Sequence, residues 1–147
     1  MNIKIHRMTL SELNELSSIL ASDFDDFWSY SILKDEINSE NSYYIVAKSE
    51  NEIVGFAGIK VLLDESDIMN IVTKKSYRNK GIGSILLQYL IDLSYNLNLK
   101  QITLEVNESN LSAISLYKKF DFKKIGLRKN YYNSQNAIIM SKLLRNI

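Results

Sequence analysis

The chain has 147 residues, 46% apolar and 24% charged, which suits one globular domain able to bury its own core. It has no cysteine and a single histidine, His6, so disulfides, a thiolate nucleophile and cysteine or multi-histidine metal sites are excluded. A formal net charge of +1 gives no general attraction for nucleic acid. No apolar run is long enough for a membrane span, and Met1–His6 lacks the apolar stretch of a signal peptide, so the expected compartment is the cytoplasm.

Residues 3–7 alternate weakly and read as a first strand. Thr9, with Glu12 three positions on, forms a capping-box pattern. Leu10, Leu13, Leu16, Ile19 and Leu20 then recur at helical spacing. Residues 22–28 read as a loop with aromatic anchors, and a short helix follows over 29–38. Tyr43–Lys48, Ile53–Leu62 and Ile68–Thr73 read as an antiparallel meander, with turns at Asn51-Glu52 and Asp64–Asp67. A helix is predicted over 82–96, with Ile82, Ile85, Leu86, Tyr89, Leu90 and Leu93 on its apolar side. Gln101–Val106 is a strand and Asn110–Phe120 a helix. Phe122–Leu127 and Ala137–Leu143 are the last two strands. This order predicts an α/β chain, a mixed sheet with helices packed on it, in one domain over 1–147.

Arg78-Asn79-Lys80-Gly81-Ile82-Gly83-Ser84 stands between a strand and a helix. Glycines let successive N–H groups converge, and a helix start adds free N–H groups and a positive dipole end, which together make a phosphate seat. A Walker loop needs lysine and serine or threonine after its second glycine, but Ser84-Ile85 stand there. A dinucleotide fingerprint needs a third glycine at position 86, which is Leu86. A plain glycine-assisted turn also fits these residues. Lys74, Lys75, Arg78 and Lys80 form a basic cluster. These lysines read either as solvated or as partners for a phosphate.

Arg-x-x-Gly-x-Gly at 78–83, after an apolar strand and before an amphipathic helix, resembles motif A of the GNAT acetyltransferases. The resemblance implies the acyl-CoA N-acyltransferase fold, about seven strands with four helices, and acetyl-CoA as co-substrate without a metal. It implies that Asn79, Lys80, Gly81, Ile82, Gly83 and Ser84 hold the diphosphate of coenzyme A. Ile71, Val72 and Thr73 would pair through their main chain with the pantetheine arm.

Leu104-Glu105-Val106-Asn107-Glu108-Ser109-Asn110, Ala113-Ile114-Ser115-Leu116-Tyr117, Phe120-Asp121-Phe122, Arg128-Lys129-Asn130-Tyr131-Tyr132 and Ala137-Ile138-Ile139-Met140 follow in order. This series looks like the RimI-type N-terminal acetyltransferases, most closely over residues 68–142. The resemblance implies acetylation of the α-amino group of a ribosomal small-subunit protein starting with alanine. It makes Glu105 the general base, Tyr117 the general acid, Asn110 a coenzyme contact and Tyr131 a lining of the acceptor groove; Trp28 would wall the same groove. Read alone, Glu105 is equally a solvated or salt-bridged strand residue, and Tyr117 a core residue. Aspartate at 121 stands where the family has glycine, in a turn aspartate tolerates. Two other readings stay open: a GNAT enzyme for a small amine such as a polyamine or amino sugar, suggested by Asp23, Asp25 and Asp26, and a non-catalytic CoA-binding sensor.

Overall fold

The computed structural model describes residues 2–24, 30–132 and 134–145, the side chain of Tyr132 excepted. Among these residues seven strands and four helices follow in the order β1 (Ile3–Arg7), α1 (Leu10–Asp23), α2 (Tyr30–Ile37), β2 (Ser42–Ser49), β3 (Glu52–Leu62), β4 (Glu65–Thr73), α3 (Ile82–Asn96), β5 (Gln101–Asn107), α4 (Leu111–Lys119), β6 (Lys123–Tyr132) and β7 (Gln135–Leu143). The chain divides into two compact units, Met1–Lys60 with Met69–Asp92, and Val61–Ile68 with Leu93–Ile147. β4 and α3 each run through both.

In the first unit the strand order is β1-β2-β3-β4. β1 and β3 flank β2 antiparallel. Thr9 caps α1 as its sequence predicts: the Thr9 Oγ1 accepts from Glu12 N at 3.2 Å, and the Glu12 carboxylate accepts from Thr9 N at 2.9 Å. Leu13, Leu16 and Leu20 of α1 then bury against Phe24, Leu33, Val46 and Phe56. Leu10 stays exposed. The ring of Phe24 meets Phe56 edge-on, with centroids 5.4 Å apart. The β2–β3 turn lies one residue earlier than the sequence suggests. Glu50 and Asn51 have φ of 50° and 70°, the two positive values of a tight two-residue hairpin.

The second unit has the order β4-β5-β7-β6. β4 and β5 are parallel, and the other pairs antiparallel, so the sheet is mixed. Along β5, Ile102, Leu104 and Val106 are buried, while Thr103, Glu105 and Asn107 occupy the opposite, half-buried face. β4 begins at Glu65, where the sequence suggests a turn, because Glu65–Asp67 pair with Gln101–Thr103. β6 reaches Tyr132 rather than stopping at Leu127. It is an edge strand paired to β7 and exposed over most of its length, so pairing and not burial sustains its polar residues. Asp121 adopts a φ of 66° and turns the chain between α4 and β6.

The buried stripe of α3 is rotated from the predicted one. Ile82, Leu86, Leu87, Leu90 and Ile91 are buried, whereas Ile85 and Tyr89 are exposed. The buried residues still recur at three- and four-residue spacings, so one periodicity admits neighbouring faces, and packing chooses between them.

Candidate active site

The segment from β4 into α3 is held from below by Glu52 on β3. Lys74 Nζ donates to one Glu52 oxygen, and the Tyr77 hydroxyl donates to the other at 3.0 Å. The hydrogen bond from Lys74, then that from Tyr77, holds the Glu52 carboxyl below its usual range; the bond to Glu52 holds the Lys74 ammonium above its own. Lys74 also lies 3.4 Å from Asp23. Lys74 is therefore not one of the solvated lysines: it is ion-paired to Glu52 and Asp23. Lys80 Nζ lies 5.0 Å from the centroid of the Tyr77 ring.

The glycine loop itself is open. Asn79, Lys80 and Gly81 are exposed, and Asn79 and Gly81 adopt φ of 61° and 82°. The first α3 bond runs from Ile85 N–H to Gly81 O at 3.1 Å. Gly81 brings no side chain to cap the helix, so the first-turn N–H groups of Ile82, Gly83 and Ser84 are left for an acceptor from outside the helix. The Ile82 side chain is buried and anchors this start. A Cβ on Gly55 would stand 2.9 Å from Val72 O and 3.1 Å from Ile82 Cγ2, so glycine lets β3, β4 and the helix start approach closely. Ile71, Val72 and Thr73 are half-buried at the end of β4.

In the other unit, Glu105 projects from β5 opposite Ile139 of β7. Arg128 of β6 reaches it, Nη2 to Oε1, at 2.7 Å, and stacks its guanidinium 4.8 Å from the Tyr131 ring centroid. Thr103 Oγ1 donates to Asp67 Oδ1 at 3.2 Å. Asp67 meets solvent, yet flanking protein desolvates it and pushes its carboxyl above the usual range. The Thr103 hydrogen bond opposes that rise, the Glu105 charge adds to it, Arg128 opposes it, and Glu65 adds to it. Tyr117, half-buried on α4, packs its ring 5.8 Å from Phe122. Asn110 caps α4, its Oδ1 accepting from Ala113 N at 3.2 Å. Asn107 Nδ2 donates to Gln135 Oε1 at 2.8 Å, and Glu108 N–H to Asn136 O at 3.0 Å, so the β5–α4 loop is tied to the β6–β7 hairpin.

The structure thus brings Glu105 and Tyr131 together through Arg128, and places the loop residues 79–84 at one helix start. Trp28 lies outside the described residues, as do Asp25 and Asp26. Asp23, the described member of that acidic trio, is engaged by Lys74. Sequence reasoning missed Glu52 and Asp67. Asp67 sat in a presumed turn, and its signal was the alternation of Glu65 and Asp67 with Ser66 and Ile68, both of which are buried. Among the described residues no group of three histidine or acidic side chains converges to hold a metal, and no helix is long and apolar enough to cross a membrane.

The acetyltransferase (GNAT) family model matches residues 13–122. A ribosomal protein bS18-alanine N-acetyltransferase of Haemophilus influenzae is 36% identical over 121 residues, covering 78% of this chain and 80% of the relative. An N-alpha-acetyltransferase RimI of Mycobacterium tuberculosis is 30% identical over 141 residues, 92% of this chain and 87% of the relative. The crystal structure of the ribosomal-protein-S18-alanine N-acetyltransferase of Escherichia coli superposes with a TM-score of 0.90 at 27% identity, covering 99% of this chain and 96% of that one.

Proposed function

This chain belongs to the acetyltransferase (GNAT) family and is an acetyl-transferring enzyme, and on that premise we propose that it acetylates the α-amino group of a protein beginning with alanine, a ribosomal small-subunit protein first among the candidates. The name of the relative at 36% identity supports this acceptor, and that of the relative at 30% supports an α-amino group. An acceptor on the ribosome would make the enzyme cytoplasmic, and one catalytic domain over 1–147 belongs to the same reading.

The observation that carries the proposal is the exposed loop that turns at Asn79 and Gly81 into the start of α3. Main-chain N–H groups at a helix start are the donors a diphosphate requires. Asn79, Lys80, Gly81, Ile82, Gly83 and Ser84 would hold the diphosphate of acetyl-CoA. Ile71, Val72 and Thr73 would pair with its pantetheine arm, and Asn110 would add a further contact.

Glu105 would take a proton from the acceptor ammonium. An α-amino group has a pKa of about 8, so a substantial fraction must lose its proton before it attacks. General base work of this kind contributes roughly 10²–10⁴-fold. The nitrogen then attacks the thioester carbonyl, the C–N bond forms, the C–S bond breaks, and the departing thiolate takes the Tyr117 proton. The chain has no cysteine to carry an acyl group, which favours direct transfer within a ternary complex over a covalent cysteine intermediate. Tyr131, and Trp28 with it, would line the acceptor groove.

The test is an acceptor panel. Incubated with acetyl-CoA, the protein should acetylate alanine-starting peptides ahead of serine- and methionine-starting ones, and ahead of polyamines and amino sugars, read by product mass. Glu105→Gln and Tyr117→Phe should each lower turnover about 10²-fold or more while acetyl-CoA still binds by calorimetry. Acetylated polyamine beside untouched peptides would reverse the acceptor. Full turnover in both variants would remove the catalytic assignment.

A further inference from the structure

Lys80 is the only cationic residue of the loop 79–84, and its long side chain is already placed. Asn79 and Gly81 on either side of it adopt φ of 61° and 82°, so the main chain doubles back and sets Lys80 over the residue three positions earlier. That residue is half-buried Tyr77, whose ring centroid lies 5.0 Å from Lys80 Nζ, within reach of a cation–π contact. The ring is fixed in its turn. Tyr77 ends a single 3₁₀ turn, Lys75–Tyr77, and its N–H donates to Lys74 O at 2.8 Å. Its hydroxyl donates to Glu52 at 3.0 Å, and Lys74 Nζ donates to the other oxygen of the same carboxylate. Lys74 N–H also donates to Val54 O at 2.8 Å, so main chain and side chains both tie this turn to β3. Neither Tyr77 nor Glu52 belongs to the glycine loop itself.

We propose that Tyr77 is a positioning residue for the coenzyme: its ring, oriented by Glu52, holds the Lys80 ammonium beside the start of α3, ready for a diphosphate. The inference rests on the coenzyme seat proposed above and not on the acceptor. A free lysine side chain gives up rotamer freedom when it pairs with a phosphate. Lys80 is already confined by the ring and has less to give up, so more of its attraction appears as affinity. The contact does not compete with the ligand. An ammonium has three donors, and an aromatic face holds it by charge, so N–H groups remain for phosphate oxygens. Glu52 fixes the far end of the ring, which makes β3, and not the loop, decide where the Lys80 charge stands.

The experiment measures acetyl-CoA affinity by calorimetry, and kcat and KM for acetyl-CoA with an alanine-starting peptide. It compares the full chain with Tyr77→Phe, Tyr77→Leu and Lys80→Met, and with each Tyr77 change combined with Lys80→Met. Tyr77→Leu should weaken acetyl-CoA binding about fivefold and raise its KM alike with kcat nearly kept, the size of an exposed cation–π contact. Tyr77→Phe keeps the ring, loses the bond to Glu52, and should weaken binding about twofold. Beside Lys80→Met, Tyr77→Leu should cost no more than about 1.5-fold, because the cation it positions is gone. A side chain that only supported the fold would cost the same in both backgrounds. Unchanged or tighter binding in Tyr77→Leu, or a loss of equal size beside Lys80→Met, overturns the positioning role and leaves the coenzyme seat standing. No binding of acetyl-CoA by the parent chain removes the seat, and the positioning role with it. Should Tyr77→Leu fail to fold by thermal melting, Tyr77→Phe decides: a loss that vanishes beside Lys80→Met supports the proposal, and a loss that persists there, or no loss at all, ends it.

Discussion

At Gly81 the φ of 82° is left-handed, and a Cβ there would meet nothing within 4 Å. An alanine would therefore suffer strain without a clash, of about 1–2 kcal/mol. Gly81→Ala should lower the melting temperature by roughly 2–8 °C in a domain of this size. If the loop relaxes to relieve the strain, the affinity for CoA should fall as well, which calorimetry would read. Gly55 differs in kind. There the neighbour is the Val72 carbonyl, main chain that cannot swing aside. The two glycines serve one helix start by different means, one through conformation and the other through space. Asn79 makes the same turn with a side chain, at the left-handed φ that asparagine tolerates better than most residues.

Among the elements, α1 is bound to β1 and β2 by one buried carboxylate. Glu12 closes the capping box with Thr9, accepts from His6 Nε2 at 2.6 Å, and lies 3.2 Å from Lys48 Nζ. Burial alone would raise its carboxyl, but hydrogen bonds from the Thr9 main chain, His6, Lys48 and the Thr9 hydroxyl outweigh it and hold it below the ordinary 4.5. The unfolded chain therefore takes up this proton first as the pH falls. The stabilisation from Glu12 is complete above about pH 4.5 and is lost as the pH drops through the lower folded value. Glu12→Gln keeps the cap but loses the charge, and should cost about 1–3 kcal/mol at neutral pH, with a flatter acid limb of stability. Denaturant titration of both chains between pH 3 and 7 measures it; parallel acid limbs would refute it. Asp67 has the opposite sign. Its folded carboxyl is raised, so between pH 3.8 and that raised value the folded chain holds more proton, and ionisation at neutral pH works against the fold.

For the whole molecule, binding of acetyl-CoA to the folded chain alone stabilises it by mass action. At a ligand concentration 100 times the dissociation constant, unfolding should cost about 2.7 kcal/mol more, a rise of roughly 5–10 °C in melting temperature. Scanning calorimetry with and without acetyl-CoA measures it, and an unmoved transition in well-folded protein would sink the ligand assignment. Much of this molecule is legible in its residues. The order of strands and helices, the capping box at Thr9, the glycine loop and the turn at Asp121 are each governed by residues within a few positions of one another, where periodicity and capping chemistry act. The groups around the candidate chemistry are set otherwise. Asp67 meets Thr103 from 36 residues away, and Tyr77 meets Glu52 from 25. Arg128 finds Glu105 from another strand, with β7 paired to both. Such contacts depend on strand register, which long-range pairing fixes only once the sheet has formed, and no local pattern of residues carries that information.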